Sequence, residues 1–178
     1  MNGAGAYELQ EKLGNNSWGT VQQSSATYKS FTDKPVGTYC YRVSAVYVDG
    51  SSGWSNEHCT SVLPAMPVLE AIDNADGDGS FSLRWTEVHD DYAYRIYESF
   101  NNVGFEEVDI TFSNQYEVFD KAVGTWCYRV QAVYESLDSP LSAPRCTTVL
   151  EEGPVVPGNK LYLPATLKGA GGDTYLYS

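Results

Sequence analysis

The sequence lacks any run of about 18 apolar residues, so no segment reads as a membrane-spanning helix. It also lacks apolar residues recurring every 3.6 positions, which excludes long amphipathic helices. Cations are scarce: 11 Lys and Arg stand against 23 Asp and Glu, for a net charge of −12. That balance disfavours nucleic acid and anionic membrane surfaces as partners, because both need basic patches. It suits a soluble surface and would attract cations. No two cysteines have the C-x2-C spacing of a tight metal site. The opening residues, Met1 to Ala6, have neither a basic region nor an apolar stretch, so no secretory signal reads there. Histidine is nearly absent. His58 and His89 stand apart, one beside Cys59 and one in a loop, and both read as solvated. Glu87, Asp90, Asp91, Glu106 and Glu107 are scattered acids that read as solvated faces. No catalytic set emerges, and the chain reads as a non-enzyme.

What the chain has in quantity is strand-forming residues. There are 14 Tyr, 4 Trp and 6 Phe, with many Val and Thr. The fold class expected is all-β. Four cysteines fall in two pairs, Cys40 with Cys59 and Cys127 with Cys146, each 19 apart. Structural disulfides in an oxidising compartment are the expected state.

An internal repeat with a period of 87 organises the rest. Residues 37–47, GTYCYRVSAVY, match residues 124–134, GTWCYRVQAVY, at nine of eleven positions. The same offset relates Tyr7 to Tyr94, Glu11 to Glu98, Val21 to Val108, Ser55 to Ser142 and Leu63 to Leu150. Such regularity marks two copies of one unit. Alternation within residues 39–47 puts Tyr39, Tyr41, Val43, Ala45 and Tyr47 on one face, the expected core, and Cys40, Arg42, Ser44 and Val46 on the other. The Cys40–Cys59 bridge would then tie neighbouring strands on the outer face.

The pattern G-T-[YW]-x-Y-R-V-x-A-V-Y, followed by a turn and a serine before the closing strand, resembles strands F and G of a fibronectin type III domain. The second copy supplies the rest. Residues 67–71 read as strand A, 81–85 as B with Trp85 at the family's core tryptophan, 94–97 as C, 105–109 as C′ and 115–119 as E. The resemblance covers about residues 1–151 and implies two-sheet, immunoglobulin-like sandwiches in tandem. The cysteine pairs are an addition to the family's pattern.

The first copy begins at strand C. Measured by the period, about 24 residues that would hold strands A and B do not precede Tyr7. Only a strand E near Thr27 to Phe31 would remain of that sheet, which leaves Tyr7, Tyr28, Phe31, Tyr41 and Val43 without cover. The tail has the shape of the missing piece. After an extended linker, residues 160–167, a glycine-rich turn at 169–172 and residues 174–177 read as strand, turn, strand. Leu69 and Leu83 are 14 apart, as are Leu161 and Tyr175, and Tyr177 then stands where Trp85 does. Leu161, Leu163, Leu167, Tyr175 and Tyr177 are the expected donor residues. The expected division is 1–63, an incomplete domain; 64–151, a complete one; and 152–178, linker and tail. A linker reaching at most about 35 Å cannot fold back along two stacked sandwiches, each roughly 35 Å long. It can reach the next molecule. The expected partner is therefore a copy of the same chain, in a head-to-tail filament. Donor-strand exchange in bacterial pilins is similar in mechanism.

Two smaller motifs carry alternatives. Asn74, Asp76 and Asp78 follow the first half of a calcium loop, but its twelfth position is Trp85 where a glutamate is needed. A plain turn and a weak calcium site both remain open, and no other cofactor is expected. Asn15-Asn16-Ser17 is a glycosylation sequon in the loop after strand C. Trp18 and Trp54 are candidates for stacking on a sugar. The function expected is a structural subunit of an extracellular filament. The alternative is a spacer, adhesion or glycan-binding module of a larger secreted multi-repeat protein.

Overall fold

A computed structural model describes residues 3–89 and 92–151, with the backbone of 167–168 and 174–175. The first unit is one antiparallel sheet. It comprises β1 (Ala6–Leu13), β2 (Gly19–Ser24), β3 (Gly37–Tyr47), β4 (Gly50–Ser51) and β5 (His58–Val62). β1 lies between β2 and β3, while β4 and β5 follow each other along the far edge of β3. The β-branched and aromatic residues of β3 suit a long central strand. The register of β1 with β3 sets Tyr7 opposite Ala45, Leu9 opposite Val43 and Glu11 opposite Tyr41.

The second unit has two sheets. One comprises β7 (Ala93–Phe100), β8 (Glu106–Thr111), β10 (Gly124–Tyr134), β11 (Leu137–Asp138) and β12 (Arg145–Val149), in the same arrangement as the first unit. The other pairs β6 (Phe81–Arg84) with β9 (Gln115–Val118). Between them lies a core in which Leu83, Trp85, Tyr94, Ile96, Tyr128 and Val130 are almost wholly buried. Strand A is reduced. Only Leu69 bridges Trp85, flanked by backbone hydrogen bonds from Glu70 to Arg84 and from Thr86 to Val68. Pro64 and Pro67, which lack an N–H, bracket the approach to it.

Both expected disulfides form, Cys40 with Cys59 and Cys127 with Cys146. Each joins residues directly opposed on neighbouring strands, β3 with β5 and β10 with β12. Closing a loop of this length stabilises by roughly 3 kcal/mol in the chain-entropy model. Reduction should therefore lower the stability of each unit by about that amount, measured by urea unfolding with and without a thiol reductant. Between the two short edge strands the serines continue the ladder. The amides of Val43 and Ala45 donate to Ser55 Oγ and Ser52 Oγ, and those of Val130 and Ala132 to Ser142 Oγ and Ser139 Oγ, at 2.9–3.1 Å. This gives the matched Ser55 and Ser142 a physical role. Gly37 and Gly124 start β3 and β10 at positive φ, and a Cβ there would lie 2.6 Å from Leu13 and 2.5 Å from Phe100.

Three expectations need correction. Thr27 to Phe31 is not a strand in the first unit. Its counterpart β9 is held by hydrogen bonds to β6, and the described part of the first unit offers no such neighbour. A strand persists only where its backbone groups are paired. Tyr47, placed on the core face, is 45% exposed. In the tail, β13 (Leu167–Lys168) pairs antiparallel with β14 (Thr174–Tyr175), with Leu167 opposite Tyr175. The alignment onto Leu69 and Trp85 would instead set Leu163 opposite Tyr175, so the turn closes four residues tighter than expected. A glycine-rich turn permits this, and a shorter loop costs less entropy to close. The other donor positions, Leu161, Leu163 and Tyr177, lie outside the described residues.

Candidate functional site

The site follows from comparing the same residues in the two units. Tyr128 and Val130 are fully buried under β6 and β9. Their counterparts Tyr41 and Val43 lie on an open face, where Val43 is 38% exposed. Tyr94 and Ile96 are buried, whereas Tyr7 and Leu9 are only partly so. The result is a groove of about 540 Å³ across β1 and β3. Tyr7, Leu9, Tyr41 and Val43 form its floor, and Gln22 and the segment Ala26 to Phe31 form one wall. All five residues expected to lie bare on the first unit, Tyr7, Tyr28, Phe31, Tyr41 and Val43, line it. Tyr28 stands at the rim, 79% exposed.

A polar lock at the end of the groove was not foreseen. Lys34 donates to both oxygens of Glu11 at 2.7 Å, and Tyr41 hydrogen-bonds the same carboxylate. Lys121, Glu98 and Tyr128 repeat the lock in the second unit, with Tyr128 donating to Glu98 at 2.8 Å. Lys34 also stands over the rings of Phe31 and Tyr39, at 4.7 and 4.9 Å from their centroids. The signal was present in the repeat, since Lys34, Glu11 and Tyr41 all recur 87 residues later.

Burial, followed by the contact with Glu11, pushes the Tyr41 phenol up from 10.0 to about 12. Burial, followed by the contact with Glu98, likewise raises Tyr128. The folded state thus favours the neutral phenol. Its contribution is complete below pH 10 and is lost as pH rises toward about 12. An alkaline absorbance titration of a Tyr41→Phe variant should lack one tyrosinate step near pH 12 that the native chain shows.

The outer face carries a stack. The Arg42 guanidinium lies between Trp18 and Trp54, 4.3 and 4.4 Å from their ring centroids, and Lys12 stands over Trp18 at 4.6 Å. Each indole is thus in contact with at least one protein cation. Arg129 over Phe105, at 4.8 Å, is the counterpart. Asn74, Asp76 and Asp78 lie on the turn before β6. There, Asp76 and Asp78 accept backbone N–H groups from Asp78 and Ser80, and Asn74 donates to the Thr148 carbonyl. Asn15 is exposed in the turn after β1. His58 and His89 are exposed, and His89 stacks on Tyr92 at 4.9 Å. Asp90 and Asp91 lie outside the described residues. Among the described residues, one cluster has metal-ligating spacing, Cys40, Glu57 and Cys59, and its sulfurs are in a disulfide.

Among solved structures, a two-domain fibronectin type III segment of chicken tenascin is similar, with a TM-score of 0.60 and 12% identity. The alignment covers 80% of this chain and 83% of that one. The fold is fibronectin type III-like. The FN1–FN3 domains of chicken CNTN1 also match, at 15% identity and a TM-score of 0.41, over 81% of this chain and 56% of that one. No family model and no curated protein sequence matches the chain. The fibronectin type III-like framework locates the groove on the face that strands β6 and β9 cover in the second unit.

Proposed function

We propose that this chain is a structural subunit of an extracellular filament. Residues 152–178 of one subunit enter the groove of the first unit of the next. One observation carries the reading: two copies of the same face, nearly identical in sequence, are sealed in the second unit and open in the first. The second unit shows what fits such a face, namely a hairpin presenting Leu69, Leu83 and Trp85 inward. The tail offers Leu161, Leu163, Leu167, Tyr175 and Tyr177. Directly opposed residues of an antiparallel ribbon share a face. Leu167 and Tyr175 are directly opposed.

The contact is heterologous, joining the tail of one subunit to the first unit of another, and therefore propagates without closing. Two disulfides suit assembly outside the cell. The charge of −12 opposes unspecific clumping. Electron microscopy of the purified chain across a concentration series tests the proposal. Filaments with a repeat near the length of two domains are the expected result. A monodisperse monomer at all concentrations would overturn it and favour a module of a longer multi-repeat protein.

A further inference from the structure

We propose that Phe31 is an autoinhibitory plug: it covers Tyr41 in the unassembled subunit and must leave that ring before the groove can be filled. The inference rests on the tail-donation reading and adds a regulation of the same groove.

The two units cover one matched tyrosine in different ways. In the second, Phe81 of β6 packs edge-on against Tyr128, with ring centroids 5.8 Å apart. The described part of the first unit has no counterpart of β6. There Phe31 packs on Tyr41 instead, with centroids 5.1 Å apart. This ring comes from the wall of the groove itself. The repeat matches Phe31 to Val118, the β9 residue directly opposite Phe81. In the second unit the wall residue is therefore small, and the covering ring arrives from across the ladder. In the first unit the wall residue carries the ring.

Two cations hold it there. The Lys34 ammonium lies 4.7 Å from the centre of the Phe31 ring, and that of Lys29 lies 5.4 Å from it. Lys34 is itself fixed by Glu11 at 2.7 Å, the carboxylate that also accepts from Tyr41. Lys34 recurs as Lys121, but Lys29 is matched by Tyr116, so the second hold belongs to the first unit. The plug covers the Tyr41 end of the groove and leaves Val43, 38% exposed, bare. Thr27 to Phe31 is not a strand, so the ring can be released without breaking a ladder. Such a device suits a groove that waits for a partner. Bare rings on a lone sheet invite unspecific association, and a covered Tyr41 reduces that hazard. The cover also weakens the true contact, because only the fraction of molecules with the plug released can be filled.

Phe31→Val in the full chain tests this, since it sets in the first unit the residue type found at the matched position. Nile red, an uncharged dye that fluoresces in apolar surroundings, reports the groove below the onset of assembly. It should bind the variant about 3- to 10-fold more tightly than the native chain, the factor that loss of one ring contact implies. The lowest concentration at which light scattering detects assembly should fall by about the same factor. Phe31→Leu should move both readouts in the same direction, and it carries the test if circular dichroism shows the valine variant unfolded. Phe31→Trp, which keeps a ring on Tyr41, should lower neither the dye constant nor the onset. Unchanged dye binding, or an onset that stays or rises, would overturn the plug and make Phe31 part of the seat. A Leu167→Asp, Tyr175→Asp chain separates this from failure of the donation itself. If that chain fails to assemble while the Phe31 variants assemble like the native chain, only the plug falls. If it assembles normally, tail donation falls and the displacement of Phe31 with it.

Discussion

Removing residues 154–178 should abolish concentration-dependent assembly and leave the first unit markedly less stable than the second. The second unit buries Leu83, Trp85 and Leu69 over Tyr94, Ile96, Tyr128 and Val130. Each large apolar side chain fully withdrawn from water contributes about 1.5–3 kcal/mol. Without a donated hairpin the corresponding floor, Tyr7, Leu9, Tyr41 and Val43, stays open. Among the described residues no strand pairs with its wall, Ala26 to Phe31. Calorimetry of the truncated chain should therefore resolve two transitions, the first at least ~10 °C below the second, since 1 kcal/mol shifts a domain of this size by about 4–8 °C. A dye that binds exposed apolar surface should report the open groove in the truncated chain and lose its signal in the assembled one. If the truncated chain assembles as the full one does, or if its two units melt together, the tail is not the cover.

The second large effect comes from substituting the same residue type at matched positions. Val130→Ala should destabilise the second unit by about 2–3 kcal/mol, because it removes methyl groups from a fully buried site and leaves a cavity. Val43→Ala, 87 residues earlier, should cost less than about 0.5 kcal/mol in the unassembled chain, since 38% of Val43 is already exposed. In assembled material its cost should rise toward that of Val130→Ala as the groove is covered. Urea unfolding of both variants at concentrations below and above the onset of assembly measures all three values. Equal costs in the unassembled chain would mean that the first face is covered from within the same molecule.

Much of the architecture was legible because the repeat duplicates it. The expected strand over residues 37–47 is β3, and its copy over 124–134 is β10. The disulfide partners were legible from equal spacing, and the groove residues from the gap in the repeat. Less regular features were harder to read. Strand A shrank to one bridge because prolines remove donors at its start. The Lys34–Glu11–Tyr41 lock went unseen because its members are 23 and 30 residues apart, with nothing local to link them. The Arg42 stack between Trp18 and Trp54 likewise joins three separate elements.

The sequence by itself determined the periodic alternation of β3 and β10 and the pairing of the cysteines. Those properties follow from residue order and spacing alone. Only the tertiary structure decided that Thr27 to Phe31 is not a strand and that Val43 is open where Val130 is sealed. Pairing and burial belong to what lies across from a residue. Two stretches identical at nine of eleven positions therefore end in different environments, one beneath a second sheet and one, among the described residues, without it.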